Sequence, residues 1–330
     1  MLKADRDLFA RLLVVAQTRD MDLRDVLKYP LGPLPWSLAA VDGSLCKTDK
    51  SKLLDSLTQQ VEPAEDVPPT AAWIVDGMAV LQSLKDIPTT FEDLASVVFD
   101  SVVPQTILAR RIDFVTDRCL DVSIKDLERT KRAEQGTIKV KITGGGQKCP
   151  KQWKKFLSDG ENKTQLAGYL LKEWSRDSYA SRIGTRKIFF ALGSNCYRLL
   201  AISGKVLCEE VEELQSSHEE ADTKILLHAK HAAESGERVV IIKSPDTDVF
   251  ILACHLQNQT PAKLFFMKKA RTRTIFLEIP NVVDRAGPEL CDALPGLHAF
   301  TGCDSTSSFN GKGKKAPLKL CRDEIGRAHV

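Results

Sequence analysis

Five short apolar runs punctuate the chain: AAWIV at 71–75, RIDFV at 111–115, KIFFAL at 187–192, RVVIIK at 238–243 and KLFFM at 263–267. Each is rich in β-branched or aromatic residues and short enough to be a strand. Between them lie longer stretches of helical texture, such as FEDLASVVFDSVV at 91–103 and SSHEEADTKILLHAKHAAE at 216–234. Alternation of this kind predicts an α/β domain built on a mainly parallel sheet flanked by helices. Residues 1–58 read as a helix, a proline-rich turn (YPLGPLPW) and a second helix, and QQVEPAEDVPPTAA then reads as a linker or surface crossing. The organisation expected is a helical extension and linker over 1–70, the α/β domain over 71–300, and a glycine-rich segment over 301–323. The chain shows no internal repeat. The glycines at 144–146 lack the G-K-S/T ending of a phosphate loop and read as a mobile loop.

Composition narrows the class. At 330 residues, 43% hydrophobic and 28% charged, the chain suits one large globular domain or two unequal ones. No apolar run approaches the roughly 18 residues of a membrane span, and MLKADRDLFARLL lacks the apolar centre of a signal peptide. An intracellular, soluble protein is expected. The 9 cysteines include no C-x-x-C pair, which argues against a zinc ribbon or a disulfide framework and for reduced thiols. The last seven residues, EIGRAHV at 324–330, read as translated sequencing adapter, so the chain is expected to be a fragment of a longer one.

Net charge is only +3 but unevenly spread. Residues 105–190 carry 19 Lys/Arg against 10 Asp/Glu, and GKGKKAPLKLCRD adds five cations against one acid, so two basic zones are candidates to meet a polyanion.

The acids fall in a pattern. Ligands of open α/β sheets gather outside the carboxyl ends of the strands. AAWIV is followed by Asp76 and Gly77, RIDFV by Thr116 and Asp117, and RVVIIK by Ser244, Pro245, Asp246, Thr247 and Asp248. In an extended segment Asp246 and Asp248 would project to one side, where their repulsion calls for a proton or a cation. The helix over 216–234 adds Glu220 and Asp222. Ser217 and Glu220 have the spacing of a capping box, while Asp222 begins the stripe that continues through Leu226, Ala229 and Ala233. Asp304, in HAFTGCDSTSSF, completes the set and could equally cap a following helix. A cluster of Asp76, Asp117, Glu220, Asp222, Asp246, Asp248 and Asp304 would demand compensating cations. Oxygen-only ligands favour Mg²⁺ or Mn²⁺ over Zn²⁺, and two such ions about 4 Å apart form the clamp of phosphodiester hydrolysis.

In order and context these acids resemble those of the PIN-like nucleases of the flap endonuclease and XPG class. The resemblance rests on IVDGMAVL, FVTDRCLDVSIKDLERTKR, EADTKILLHA, SPDTDVFIL and TGCDSTSSFNGKGKKA, across about 71–316. It implies a PIN-like sheet, a site of all seven acids holding two Mg²⁺ or Mn²⁺ ions, and hydrolysis of phosphodiester bonds. It also implies a basic arch carrying Lys125, Arg129, Lys131 and Arg132, and a phosphate grip from Gly311, Gly313, Lys314 and Lys315 at the start of a helical hairpin. DNA is the expected partner ahead of RNA, and a nuclear location goes with it. The departures are the residues preceding the domain and Lys312 where an apolar residue is usual. The stretches YPLGPLPW and HAFTGCD also resemble proteins abundant in transposon-rich animal genomes.

Two other classes compete. One is a PIN-like module that no longer cuts and serves as a nucleic-acid or protein adaptor. The other takes DTD as a phosphatase nucleophile or a glycosyltransferase site, although Lys243, Ser244 and Pro245 separate the first Asp from the apolar run. His228 and His231, at i and i+3, read as surface or helix-packing residues, and Trp73, Trp153 and Trp174 as packing residues. In the nuclease reading, replacing Arg129 and Arg132 with Ala is expected to lower cleavage at saturating substrate more than binding, whereas a pure adaptor would lose binding alone.

Overall fold

Each of the five apolar runs forms a strand, because a short β-branched or aromatic segment buries both faces only inside a sheet covered on two sides. The structure, a computed structural model, describes residues 2–19, 22–26, 37–40, 44–103, 108–119, 138–270 and 273–328. These fall into two units, 1–48 with 299–313 and 49–298 with 314–330.

The larger unit holds one eight-stranded sheet. Its strands are β1 (Ala72–Asp76), β2 (Arg111–Val115), β3 (Lys187–Leu192), β4 (Asn195–Ile202), β5 (Lys205–Glu210), β6 (Val239–Lys243), β7 (Lys263–Ala270) and β8 (Arg273–Glu278). They lie in the order β5-β4-β3-β2-β1-β6-β7-β8. The central five are mutually parallel, and the edge pairs β3–β4, β4–β5 and β7–β8 are antiparallel. The expected mainly parallel α/β sheet is therefore present. The edge hairpins were not foreseen. β4 turns into β5 through Ser203 and Gly204, both at positive φ (50° and 78°), the geometry of a two-residue type I′ turn.

Order reverses at β1, which pairs with β2 on one side and β6 on the other. Such a switch point opens a crevice at the carboxyl ends of the strands. Among the described residues of this unit the helices are α1 (Ser51–Thr58), α2 (Gly77–Ser83), α3 (Phe91–Val102), α4 (Trp153–Leu157), α5 (Gly160–Trp174), α6 (Ala180–Ile183), α7 (Ala221–Glu234), α8 (Thr247–Gln257), α9 (Ile279–Ala286), α10 (Pro288–Phe300, its last two residues in the smaller unit) and α11 (Lys315–Ala328).

Two cores result. On one face Phe91, Phe99, Phe114, Phe156, Trp174 and Phe190 pack together, with the indole N–H groups of Trp153 and Trp174 donating to the carbonyls of Leu81 and Ala95. On the other face the small residues of α7 let it lie close against Ile74, Val240 and Ile242, and Leu53, Leu54 and Leu57 dock α1 beside α8. The glycines at 144–146 are no loose loop: Gly145 and Gln147 accept the backbone N–H groups of Glu92 and Phe91 at 3.0 and 3.1 Å, closing the first turn of α3.

The smaller unit joins 37–48 to the TGCDSTSS segment. Thr48 Oγ1 donates to the Thr301 carbonyl, and Ser308 donates to the Cys46 carbonyl through both its amide and its hydroxyl. Gly302 has φ of 95°, and a Cβ there would lie 2.7 Å from that of Ser308. Residues 301–314 contain no helix, so Asp304 does not cap one directly.

At the sheet, Gly77 matters for packing. A Cβ on it would meet the buried Phe114 ring at 2.7 Å and the Val115 carbonyl oxygen at 3.0 Å. Gly77→Ala is expected to destabilise the protein by about 1–3 kcal/mol in denaturant titrations, because neither neighbour can retreat without disturbing the sheet.

Candidate metal centre

Each acid at the carboxyl edge is placed by a helix. Asp76 is both the last residue of β1 and the N-cap of α2, where its Oδ1 accepts the Ala79 amide at 2.9 Å. Asp246 is the N-cap of α8 and accepts the Asp248 amide at 3.0 Å, which corrects the extended geometry expected for D-T-D. The two carboxylates still meet, because cap and first turn share one end of the helix.

The capping box is also corrected. Helix α7 begins at Ala221, with Glu220 in the N-cap position and making no side-chain cap. Asp117 caps it instead, its Oδ1 accepting the Ala221 amide at 2.9 Å across 104 positions of sequence. Free amides at a helix N-terminus attract whichever carboxylate the fold brings, and Asp117 is an ionisable acceptor where Ser217 is not.

Among the described residues, Asp222, Asp246 and Asp248 each offer a carboxylate oxygen such that all three lie within 4.8 Å of one another. All three side chains are partly exposed. Glu220, expected in the cluster, is not of this group: it stands at the extended N-cap position, one residue before α7 begins. Asp304 belongs to the smaller unit. Lys125, Arg129, Lys131 and Arg132 lie outside the described residues.

Burial and charge act differently on two acids of the edge. The Asp76 carboxyl is raised to about 6, chiefly by burial, with repulsion from Asp117 and Asp246 adding to it against the bonds from Ala79 and Ser244. Burial would raise Asp248 too. There the hydrogen bond from His298 and the charge of Lys50 prevail, and its pKa is lowered.

Two lysine partners and the role of His298 escaped the sequence reading. Lys50, immediately before α1, places Nζ 3.1 Å from Oδ1 of both Asp246 and Asp248. His298 contacts Asp248 Oδ1 through Nε2 at 2.8 Å. Lys224, two residues past Asp222, is buried and donates to the Gly193 carbonyl at 2.6 Å, and burial lowers its pKa. No local pattern distinguishes these from other surface lysines or helix histidines. One further expectation needs correction. Lys314 is only 2% exposed and its ammonium faces His298, so it does not offer its charge to a phosphate at the surface. Lys315, Gly311 and Gly313 are exposed or near a turn, without an acidic partner among the contacts described.

His228 and His231 serve packing, as expected. His228 Nδ1 lies 2.7 Å from the buried Asp113 carboxylate, which Arg111 grips with two bonds of 2.8 Å, and Arg111 also reaches His231 at 2.9 Å.

No protein-family model matches the chain, and no curated protein does. Among solved structures it is similar to the catalytic core of Rad2 in complex with DNA substrate, at 13% identity and a TM-score of 0.43, over 83% of this chain and 68% of that one. It is also similar to flap endonuclease-1 from Methanococcus jannaschii, at 14% identity and a TM-score of 0.39, over 82% and 77%. None of these comparisons bears on the likeness to proteins of transposon-rich genomes. No helix among the described residues is long and apolar enough to cross a membrane.

Asp76 yields a pH test. Its folded pKa lies above its unfolded one, so the folded state gains stability below about pH 4 that it loses as pH rises through about 6. Asp76→Asn keeps the acceptor for Ala79 and removes the charge. In metal-free buffer it is expected to stabilise the protein by about 2–3 kcal/mol at pH 8 and by little at pH 4, as read by denaturant titration at both pH values.

Proposed function

We propose that this chain is a divalent-metal-dependent nuclease of PIN-like type, acting on phosphodiester bonds of DNA. One observation carries the proposal: three carboxylate oxygens within 4.8 Å of one another at the carboxyl edge of a parallel sheet. The donor set is all oxygen, drawn from three clustered carboxylates, so the residues fit a hard cation such as Mg²⁺ or Mn²⁺. Asp222, Asp246 and Asp248 would hold it, with Asp76, which feels the charges of Asp117 and Asp246, acting through water. A divalent ion held there supplies a water acidic enough to attack phosphorus and charge to offset the phosphate oxygens. The chain's own groups do the rest. The N-termini of α2, α7 and α8 fix the acids in place, and Lys50 and Lys224 limit their mutual repulsion. The segment after Asp117, with Lys125, Arg129, Lys131 and Arg132, would provide a basic approach for a polyanion.

Lys50 favours a second reading. An ammonium between Asp246 and Asp248 is what a site that no longer holds metal would keep, and the chain would then be a binding module that does not cut.

Two measurements separate these readings. Labelled flap, single-stranded and hairpin DNA is expected to be cut with Mg²⁺ or Mn²⁺ and left intact with EDTA, and Asp246→Asn is expected to abolish cutting together with the rise in Tm that metal causes. Lys50→Met is expected to cost about 1–3 kcal/mol without metal and to enlarge that rise, since the resident cation no longer competes. A wild-type Tm indifferent to metal, with no cutting, would favour the binding module.

A further inference from the structure

We propose that His298 is a positioning residue of this site, holding Asp248 in its metal-binding orientation, and that Lys314 in turn fixes the state of the His298 ring. The proposal rests on the reading of Asp248 as a metal ligand. His298 Nε2 lies 2.8 Å from Asp248 Oδ1, its Nδ1 lies 3.1 Å from Lys314 Nζ, and the same Nζ donates to the His298 carbonyl at 3.2 Å.

These contacts fix the direction of each bond. An ammonium has three N–H donors and no lone pair, so the ring nitrogen facing it must accept. A neutral imidazole that accepts at Nδ1 carries its proton on Nε2, and that proton points at Asp248. The relay therefore runs from Lys314 to His298 to Asp248.

Burial makes it rigid. His298 is 6% and Lys314 2% exposed, so neither can turn freely, and an ammonium is tolerated there only when hydrogen-bonded. His298 ends the stretch of α10 that lies in the larger unit, and Lys314 precedes α11. Two helices thus act on one carboxylate. Partners that orient metal ligands in this way commonly set metal affinity over about 10–100-fold.

The test is Mn²⁺ binding to the metal-free full chain, read from the paramagnetic resonance signal of free Mn²⁺, with circular dichroism as the control for folding. His298→Leu is expected to bind about 10–100-fold more weakly than wild type. His298→Gln, whose amide N–H can reach the place of Nε2–H, is expected to recover most of that loss, which a merely space-filling role would not produce. Lys314→Met, close in length but without donors, is expected to weaken binding several-fold by freeing the ring, and it serves as the test should His298→Leu not fold. Wild-type affinity in His298→Leu or in Lys314→Met, or a His298→Gln no better than His298→Leu, overturns the relay while the metal site stands. A wild-type protein that takes up no Mn²⁺ overturns the metal site itself, and the positioning role with it.

Discussion

Like charges gathered at one end of a parallel sheet must be held there against their own repulsion, and helix N-termini do the holding. Asp76, Asp117 and Asp246 each accept a backbone amide from the first turn of a different helix, α2, α7 and α8. The arrangement follows from topology. A parallel strand that passes directly into its crossover helix delivers the helix N-terminus to the carboxyl edge of the sheet, so unpaired amides and the positive end of each helix dipole collect where the acids are. Capping thus stabilises the fold and assembles the site in one act. The burial that comes with it raises the pKa of Asp76, and repulsion from Asp117 and Asp246 adds to the rise.

A second polar network lies deeper. Arg111 and Asp113 alternate on β2 and point to the same face, where Asp113 meets His228 and Arg111 meets His231. A buried pair of this kind adds little net stability, yet it is costly to break from one side. Its consequence here is positional. His228 and His231 lie on α7, so β2 and α7 are tied in register, and the first turn of α7 with Asp222 is held against the loop that carries Asp117.

The groups that contact Asp248 arrive from distant parts of the chain. Lys50 is delivered by α1, whose leucines are buried beside α8, and His298 by the far part of α10. Both contact Asp248, and their combined pull outweighs burial and keeps that carboxyl ionised more readily than usual, whereas burial prevails at Asp76 and raises its pKa. Neighbouring acids of one type are set apart by a few ångströms of surroundings.

Much of this was legible in the residues. Five apolar runs foretold the five parallel strands, and the acids that follow three of them foretold the edge where a site would form, because hydrophobic patterning and strand-end position are local properties. The edge hairpins were missed: β5 is largely exposed, and β4, although it carries Leu199, Leu200, Ala201 and Ile202, follows β3 after only two residues with no helix between. Ser217 and Glu220 matched a capping box by spacing alone, but spacing cannot tell that Asp117 reaches the same amides from 104 positions away. The family resemblance implied a phosphate grip at Lys314, and only packing turned its ammonium inward to His298. Sequence by itself therefore determined which segments are strands and which carboxylates stand at their ends. Tertiary structure alone decided which of those acids meet, which cations face them and which amides cap them, because Coulomb forces and hydrogen bonds depend on distance in space and are blind to distance along the chain.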